Sequence, residues 1–244
     1  MKEDDVEEFL KRLSGRDISK LFLQKISENL IIDISRHKRA GKPEAVFSEF
    51  KTKDEIVEIA KKSIEKKFPI LFTRLRDEHM DELEKIGMSV NRRARTARFL
   101  NLDEKSGRVA VFSAGSSDIG VAEEARETAE FLGLDVLKFY DVGVAGIHRL
   151  IEPLEKIKNE DVDSVIVVAG MEGALPSVIA GLVDAPVIAV PTSVGYGTSL
   201  SGFTALFSML QSCSSGIAVV NIDNGFGAAV FAYMISKRIR KKSN

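Results

Sequence analysis

The rhythm of apolar and polar positions changes about two-fifths of the way along the chain. In the first part, Val6–Leu13 and Ile18–Leu30 carry apolar residues at helical spacing, and Asp17 is placed to cap the second segment. Lys53–Lys67 sets Ile56, Ile59, Ala60 and Ile64 on one face, with lysines and glutamates opposite, which predicts an amphipathic helix. Ala45–Phe50, Pro69–Thr73 and Ala94–Phe99 read as strands, and Asp77–Ile86 reads as a helix. Together they make a small α+β unit.

The second part alternates regularly. Strands are expected at Val109–Ser113, Val136–Phe139, Ser164–Ala169, Val187–Val190 and Ile217–Asn221. Helices are expected at Val121–Phe131, Ile147–Ile157, Leu175–Leu182, Phe203–Gln211 and Ala228–Ile239. Five short apolar runs alternating with five helices predict an α/β domain with a parallel, doubly wound sheet. In such sheets ligands bind outside the carboxyl ends of the strands. The unusual residues follow the strands: Ala114–Asp118, Asp141–His148, Gly170–Gly173, Pro191–Gly195 and Asn221–Gly225.

Charge sharpens the division. Residues 1–108 hold 25 Lys+Arg and 21 Asp+Glu, whereas the rest hold 10 and 15. The boundary is placed near Asp103–Gly107, giving a charge-rich unit over 1–105 and an apolar, glycine-rich one over 106–244. A net charge of −1 argues against nucleic-acid binding through a broad basic surface. The basic tail Lys237–Lys242 reads as a solvated helix end whose cations complement the dipole. Met1–Leu13 is acidic and amphipathic, unlike a secretory signal. Val165–Val183 is interrupted by Gly170, Glu172, Gly173 and Pro176, so a membrane span is not expected. A cytoplasmic protein in a reducing compartment is the expectation.

Several chemical signatures are missing. The chain has no Walker-type phosphate loop and no H-E-x-x-H, and His37, His79 and His148 lack metal-site spacing. Gly225-Phe-Gly227 approaches a dinucleotide fingerprint, but Val230 replaces its third glycine, and tight helix–strand packing explains it equally well. Ala114–Asp118 joins a strand to a helix, so its amides and the Ser116 and Ser117 hydroxyls form a natural anion site. Asp118 suits ligand binding or helix capping equally. Glu172, between glycines and buried segments, calls for a catalytic task or an ion-pair partner. His148 and Arg149, at an expected helix start, suit phosphate binding or acid–base work, or an ordinary surface position. Cys213 is the single cysteine; its Ser/Gly surroundings leave both a reactive thiol and a small packing residue open.

Longer motifs bring a resemblance. Asp141–Arg149, Val168–Ser177, Val190–Gly197 and Val220–Gly227 resemble the LarB family, pyridinium-3,5-biscarboxylic acid mononucleotide synthases that begin synthesis of a nickel-pincer nucleotide cofactor. In the first part Asp33–Arg36, Arg39–Glu44 and Thr73-Arg74 carry the likeness. The second part is also similar to aminoimidazole ribonucleotide carboxylases and mutases, whose domain implies a three-layer, flavodoxin-like sheet. Their Gly-Ser-x-Ser-Asp loop aligns with Ala114–Asp118, their Ser-Ala-His-Arg with Gly146–Arg149, and their Gly-Gly-Ala-Ala-His-Leu-Pro with Gly170–Pro176. The proton-shuttling histidine of that last loop falls on Ala174, which transfers no proton.

The LarB resemblance implies carboxylation of nicotinic acid adenine dinucleotide at pyridinium C5 by CO2, with hydrolysis of the phosphoanhydride to release AMP. An electron-poor ring attacks CO2 only after a thiolate has added to it, and Cys213 is the only thiol present. Glu172 is the expected general base, because burial among glycines would raise its proton affinity. His148 is a further catalytic candidate. Substrate contacts are expected from Ser116, Ser117, Asp118, Arg149, Gly170, Met171, Gly173, Ser193 and Asn221. Arg36, Arg39 and Arg74 of the first part would close over the pyrophosphate. Mg2+ on Asp118 or Asp223 would assist hydrolysis, unless Asp223 only orders its turn; biotin and ATP are not required. Both families imply a homo-oligomer, with an octamer as one form. The competing readings are a purine-type carboxylase or mutase, which would tolerate Cys213→Ser, and a non-catalytic nucleotide-binding protein.

Overall fold

The computed structural model describes residues 23–27, 30–33, 42–102 and 105–243. Its elements are β1 (Leu23–Ser27), β2 (Leu30–Asp33), β3 (Ala45–Phe47), α1 (Lys53–Lys66), β4 (Ile70–Thr73), α2 (Asp77–Lys85), β5 (Ser89–Asn91) and β6 (Thr96–Phe99). Then follow β7 (Gly107–Ser113), α3 (Ile119–Phe131), β8 (Leu134–Phe139), α4 (Ile151–Glu160), β9 (Ser164–Ala169), α5 (Leu175–Ala180), β10 (Val187–Pro191), α6 (Phe203–Leu210), β11 (Ile217–Val219) and α7 (Gly225–Ser243). The expected helix at Val6–Leu13, the cap at Asp17, and Arg36 and Arg39 lie outside the described residues.

The expected helix over Ile18–Leu30 is corrected where it is described. Leu23–Ser27 and Leu30–Asp33 pair as antiparallel strands. The β-branched Ile26, Ile31 and Ile32 favour that conformation over a helix.

The first part is otherwise built on a four-stranded sheet in the order β3-β4-β6-β5, parallel at β3/β4 and antiparallel elsewhere. Ile56, Ile59 and Ala60 of α1 and Met80 and Leu83 of α2 cover one face, packing on Ile70 and Phe72. Leu71 points the other way, into the core that contains Ala122, Ala125 and Ala129 of α3. The small sheet is therefore covered on both faces, and all of Ile70–Thr73 is buried. β5 has no apolar run to announce it, because an edge strand as polar as Ser89–Asn91 buries little.

The second part is a five-stranded, fully parallel sheet in the order β11-β10-β9-β7-β8. Its winding is flavodoxin-like, with the order of strands reversing between β7 and β9. Ile166 and Val168 face α3 and α7, whereas Val165, Val167 and Ala169 face the layer of α4, α5 and α6. Burial on both faces explains why these strands read as unbroken apolar runs. The expected helix at Ile147–Ile157 is divided: Val144–Leu150 forms 3-10 turns, and α4 begins at Ile151. Pro153 lacks an amide hydrogen and is tolerated only in a first turn, which fixes that start.

The two parts are joined by charge. Arg126 of α3 donates to Glu123 at 2.7 Å, to Glu130 at 2.6 Å, and to Glu127. From the small domain, Asn91 donates to Glu123 at 2.7 Å and Glu127 at 3.0 Å, and Arg98 approaches Glu127 at 3.3 Å and Glu130 at 3.2 Å. Tyr140 adds a 2.6 Å bond to Glu123. Burial pushes the Glu123 carboxyl up, but donation from Arg126, Tyr140 and Asn91 outweighs it and holds the group at about 2.

A value held below the unfolded 4.5 contributes stability above that pH and loses it as the pH falls through about 2. Arg126→Met leaves three carboxylates facing one another, so it should cost about 3 kcal/mol at pH 7. The deficit should shrink toward pH 3. Urea unfolding at both pH values measures it, and an unchanged midpoint at pH 7 would reject the network as a source of stability.

Candidate active site

All five strands of the parallel sheet point the same way, so the loops leaving them gather at one edge. Asp118 is the buried centre of that edge, at 4% exposure. Its Oδ2 accepts from the Gly115 amide at 2.9 Å and its Oδ1 from the Thr192 hydroxyl at 2.7 Å. The side chain makes no cap bond to α3 itself, but its bond to Gly115 caps the 3-10 turn that leads into α3, and its bond to Thr192 ties that turn to the loop after β10. Burial pushes the Asp118 carboxyl up, and the hydrogen bonds from Thr192 and the Gly115 and Gly170 amides oppose that rise.

The neighbouring loops are fixed by backbone bonds. Met171 donates its amide to Val194 O at 2.9 Å, and Thr192 donates to Ala169 O at 3.1 Å. Gly170 is required here, because a Cβ would stand 2.4 Å from Val194 O and 2.6 Å from Thr192 Oγ1. Among the left-handed non-glycine residues are Arg74, Asp141, Met171 and Asp223 in loops that leave strands, with φ of 56, 58, 52 and 56°. Strained backbone of this kind concentrates where a structure has a task.

Asp223 orders its turn, as the simpler reading had it. Its Oδ1 accepts from the Ser193 amide at 2.8 Å, and its own amide donates to Pro191 O at 2.8 Å. Its carbonyl accepts from Arg74, which crosses from the small domain. Asn221 keeps its side-chain oxygen on the Ile222 amide at 2.9 Å. Ser116, Ser117, Ser193, His148 and Arg149 are exposed along this edge. Arg149 pairs with exposed Asp141 at 3.3 Å. His148 and Arg149 sit in the 3-10 turns rather than at an α-helix start.

Two expectations need correction. Glu172 is exposed rather than desolvated among its glycines: Gly173 is buried, but the Glu172 side chain faces outward. Cys213 is exposed as well, and stands at the opposite edge of the sheet. The physical reason is strand direction. Gly202, at the start of α6, packs on Thr192 O and Ile222 at the carboxyl edge. Three residues beyond Cys213, Gly216 accepts from the amide of Val187, the first residue of β10. The loop holding the thiol is anchored there, with Ser212 accepting from Ser177 at 2.7 Å and Ser214 donating to Ser177 O at 2.7 Å. Within one chain the sulfur does not meet the glycine loops.

A desolvated carboxylate exists elsewhere. Between the two sheets lies a cavity of about 280 Å3, lined by Phe47, Thr73 and Arg74 on one side and by Glu124, Asn221 and Phe226 among those on the other. Glu124 of α3 is 5% exposed, and its Oε2 accepts from the Phe226 amide at 3.2 Å. Burial pushes its carboxyl up to about 7, against the opposing pull of Arg74 and the Phe226 and Gly225 amides. Glu124 thus occupies the α7 N-terminus that an anion would otherwise use. Gly225 is there for close packing, since a Cβ would lie 2.4 Å from Val121 O. Sequence reasoning passed over Glu124; its signal was a glutamate within the alanine-rich face of Val121–Phe131.

Residues 108–243 match the AIR carboxylase family model, and residues 26–102 match the LarB/PurE-like N-terminal domain. The chain belongs to the LarB family. An uncharacterized protein of Methanocaldococcus jannaschii is 48% identical over 90% of this chain and 89% of its own length. An N5-carboxyaminoimidazole ribonucleotide mutase from the same organism is 36% identical, covering 52% of this chain and 77% of the relative. One from Thermotoga maritima is 31% identical, covering 52% and 74%. The family indicates an enzyme of the carboxylase/mutase type. Among the described residues no helix is long and apolar enough to cross a membrane.

Among the described residues Asp118 and Asp223 are not part of a ready-made cluster of metal ligands. Among the described residues no three His, Cys, Asp or Glu side chains gather around one point. Both oxygens of Asp118 and Oδ1 of Asp223 already accept hydrogen bonds.

Glu124 titrates with a sign opposite to that of Glu123. Its value of about 7 lies above the ordinary 4.5, so its contribution to stability is full below 4.5 and is lost as the pH rises through 7. Glu124→Gln should therefore unfold at higher urea than the wild type at pH 8 and lose that advantage near pH 4.5. A variant less stable than the wild type at pH 8 would contradict the assignment.

Proposed function

We propose that this enzyme carboxylates the pyridinium ring of nicotinic acid adenine dinucleotide at C5, using CO2, and hydrolyses the phosphoanhydride to release AMP. The observation that carries the reading is the pairing of a LarB/PurE-like N-terminal domain with an AIR carboxylase domain in one chain. Ala174, where purine mutases hold their proton-shuttling histidine, argues against the purine reaction. The product would feed synthesis of a nickel-pincer nucleotide, and the setting would be the cytoplasm.

The chemistry balances without biotin or ATP. A thiolate adds its electron pair to the pyridinium ring and forms a dihydropyridine, whose C5 gains enamine character and attacks the carbon of CO2. The C5 proton then passes to a base, the ring electrons expel the thiolate, and aromaticity returns. Cys213 is the nucleophile and Glu172 the base in this scheme. His148 and Arg149, with the exposed Ser116 and Ser117, face the phosphates on the carboxyl edge. Water divides the phosphoanhydride between AMP and the carboxylated mononucleotide.

Because Cys213 and the glycine loops lie at opposite edges of one sheet, the scheme requires a second copy. The homo-oligomer, as an octamer or a smaller ring, would bring the Cys213 loop of one subunit to the carboxyl edge of the next. Support comes from α6, which leads into that loop. Its Phe203, Phe207 and Leu210 are 49, 61 and 63% exposed, an apolar face that ordinarily has a partner. The same contact would cover Glu172 and supply the desolvation that a single chain lacks.

Incubation with the dinucleotide and bicarbonate should yield AMP together with a product heavier than nicotinic acid mononucleotide by one CO2, as read by mass spectrometry. Interconversion of carboxyaminoimidazole ribonucleotides instead would favour the purine alternative, and no turnover of either substrate would favour a binding protein. Sharing of the site between subunits has its own measurement. Cys213→Ser and Glu172→Gln chains, inactive separately, should regain about a quarter of wild-type activity when co-expressed in equal amounts, as random mixing in a symmetric oligomer predicts. No recovery in verified mixed oligomers would place both groups in one subunit and sink the shared site.

A further inference from the structure

We infer that the cavity between the two sheets recognises a purine nucleoside moiety, seated against Glu124. This rests on the dinucleotide reading above and assigns one end of that ligand to a place in the fold. At about 280 Å3 the cavity lies near the lower end of the roughly 300–1,000 Å3 usual for small-molecule sites. That suits a base and part of its sugar rather than a whole dinucleotide.

The walls supply the matching chemistry. Phe47 and Phe226 offer aromatic surface, and Phe47 is 50% exposed with the Phe50 ring 5.9 Å away. Exposed rings beside a polar cavity are a platform for a planar heterocycle. Asn221 uses its side-chain oxygen on the Ile222 amide, and Asn224 uses its own on the Gly227 amide at 2.8 Å. Each retains an NH2 group as a donor. Glu124 retains acceptor capacity at Oε1, because Arg74 Nε stands 3.9 Å away, too far for a hydrogen bond. Two amide donors and a carboxylate acceptor around an apolar slot complement ring-nitrogen acceptors together with an exocyclic amine or sugar hydroxyls. A phosphate fits poorly, since it would meet the Glu124 carboxylate and find the α7 amide of Phe226 already engaged.

The cavity also adjoins the carboxyl edge of the large sheet. Asn221 and Asn224 belong to the turn after β11 that Asp223 ties to Ser193, and Arg74 reaches the same turn from the small domain. A nucleoside here would place the rest of its chain along the edge that carries Ser193 and Asp118.

Isothermal titration of the full chain with AMP tests the inference, with nicotinic acid mononucleotide as the reference ligand. Wild type should bind AMP. Glu124→Gln and Phe47→Ala should each weaken that binding about tenfold or more while binding of the reference ligand stays near wild type and the Phe47→Ala chain melts near the wild-type temperature. Phe47 is half exposed, so its truncation tests the site even if Glu124→Gln disturbs packing. AMP that fails to bind, or binds both variants like the wild type, overturns the inference. Mapped AMP binding with no carboxylated product upholds this site and defeats only the carboxylation reading.

Discussion

A carboxylate withdrawn from water has to find donors, and Asp118 finds them in two different loops. Gly115 lies three residues earlier in the chain and Thr192 lies beyond β10, so a single side chain holds the loops after the first and fourth strands of the large sheet in register. From Thr192 the connection continues: the Ser193 amide bonds Asp223, and the Asp223 carbonyl receives Arg74 from the small domain. Arg74 in turn faces Glu124 on α3. Buried polar groups joined in this way specify one arrangement, because each lost partner leaves another group unpaired. The carboxyl edge and the interdomain cavity are consequently one connected structure.

The direction of the strands imposes a second constraint. Loops that leave parallel strands share one edge and loops that enter them share the other. The glycine loops leave β9 and β10, whereas the Cys213 loop enters β11. No side-chain rotation within one subunit spans that separation, since β10 alone covers about 13 Å at roughly 3.3 Å per residue. A reaction that uses both features has to be assembled from two chains. The apolar outer face of α6 then acquires a purpose that folding of the single chain does not give it.

Much of this was legible in the residues. Ser164–Ala169 reads as a strand because both its faces are covered, and the structure gives those same limits. The order of Cys213 before Ile217 already contained its topological position, because a residue just ahead of a parallel strand lies at the amino edge of the sheet. Other features were hidden for physical reasons. Glu172 sits between apolar segments in sequence, but a turn with Met171 and Gly173 left-handed swings its side chain outward. Glu124 reads as an ordinary solvated helix residue until a second helix places its N-terminus over it. The strands at Leu23–Ser27 and Leu30–Asp33 compete with a helical spacing that only β-branching contradicts.

The exchange of roles between Glu172 and Glu124 follows from where dipoles end. A carboxylate is retained in a poorly solvated place when fixed donors face it, and the start of α7 provides the Phe226 amide, with Arg74 nearby. Those contacts only partly offset the desolvation, which is why the group stays protonatable near neutrality. Glu172 is exposed instead, just before α5, a short helix with Ala174 at its cap and Pro176 in its first turn. A negatively charged ligand approaching from solvent therefore meets two different electrostatic settings. At the cavity its phosphates would be repelled while neutral donors are accepted. Along the edge from Ser116 to Arg149, exposed hydroxyls remain open to it, with the Arg149–Asp141 pair beside them. On the proposed reading, that asymmetry would orient a nucleotide with its base inward beneath the small domain and its phosphates outward across the sheet.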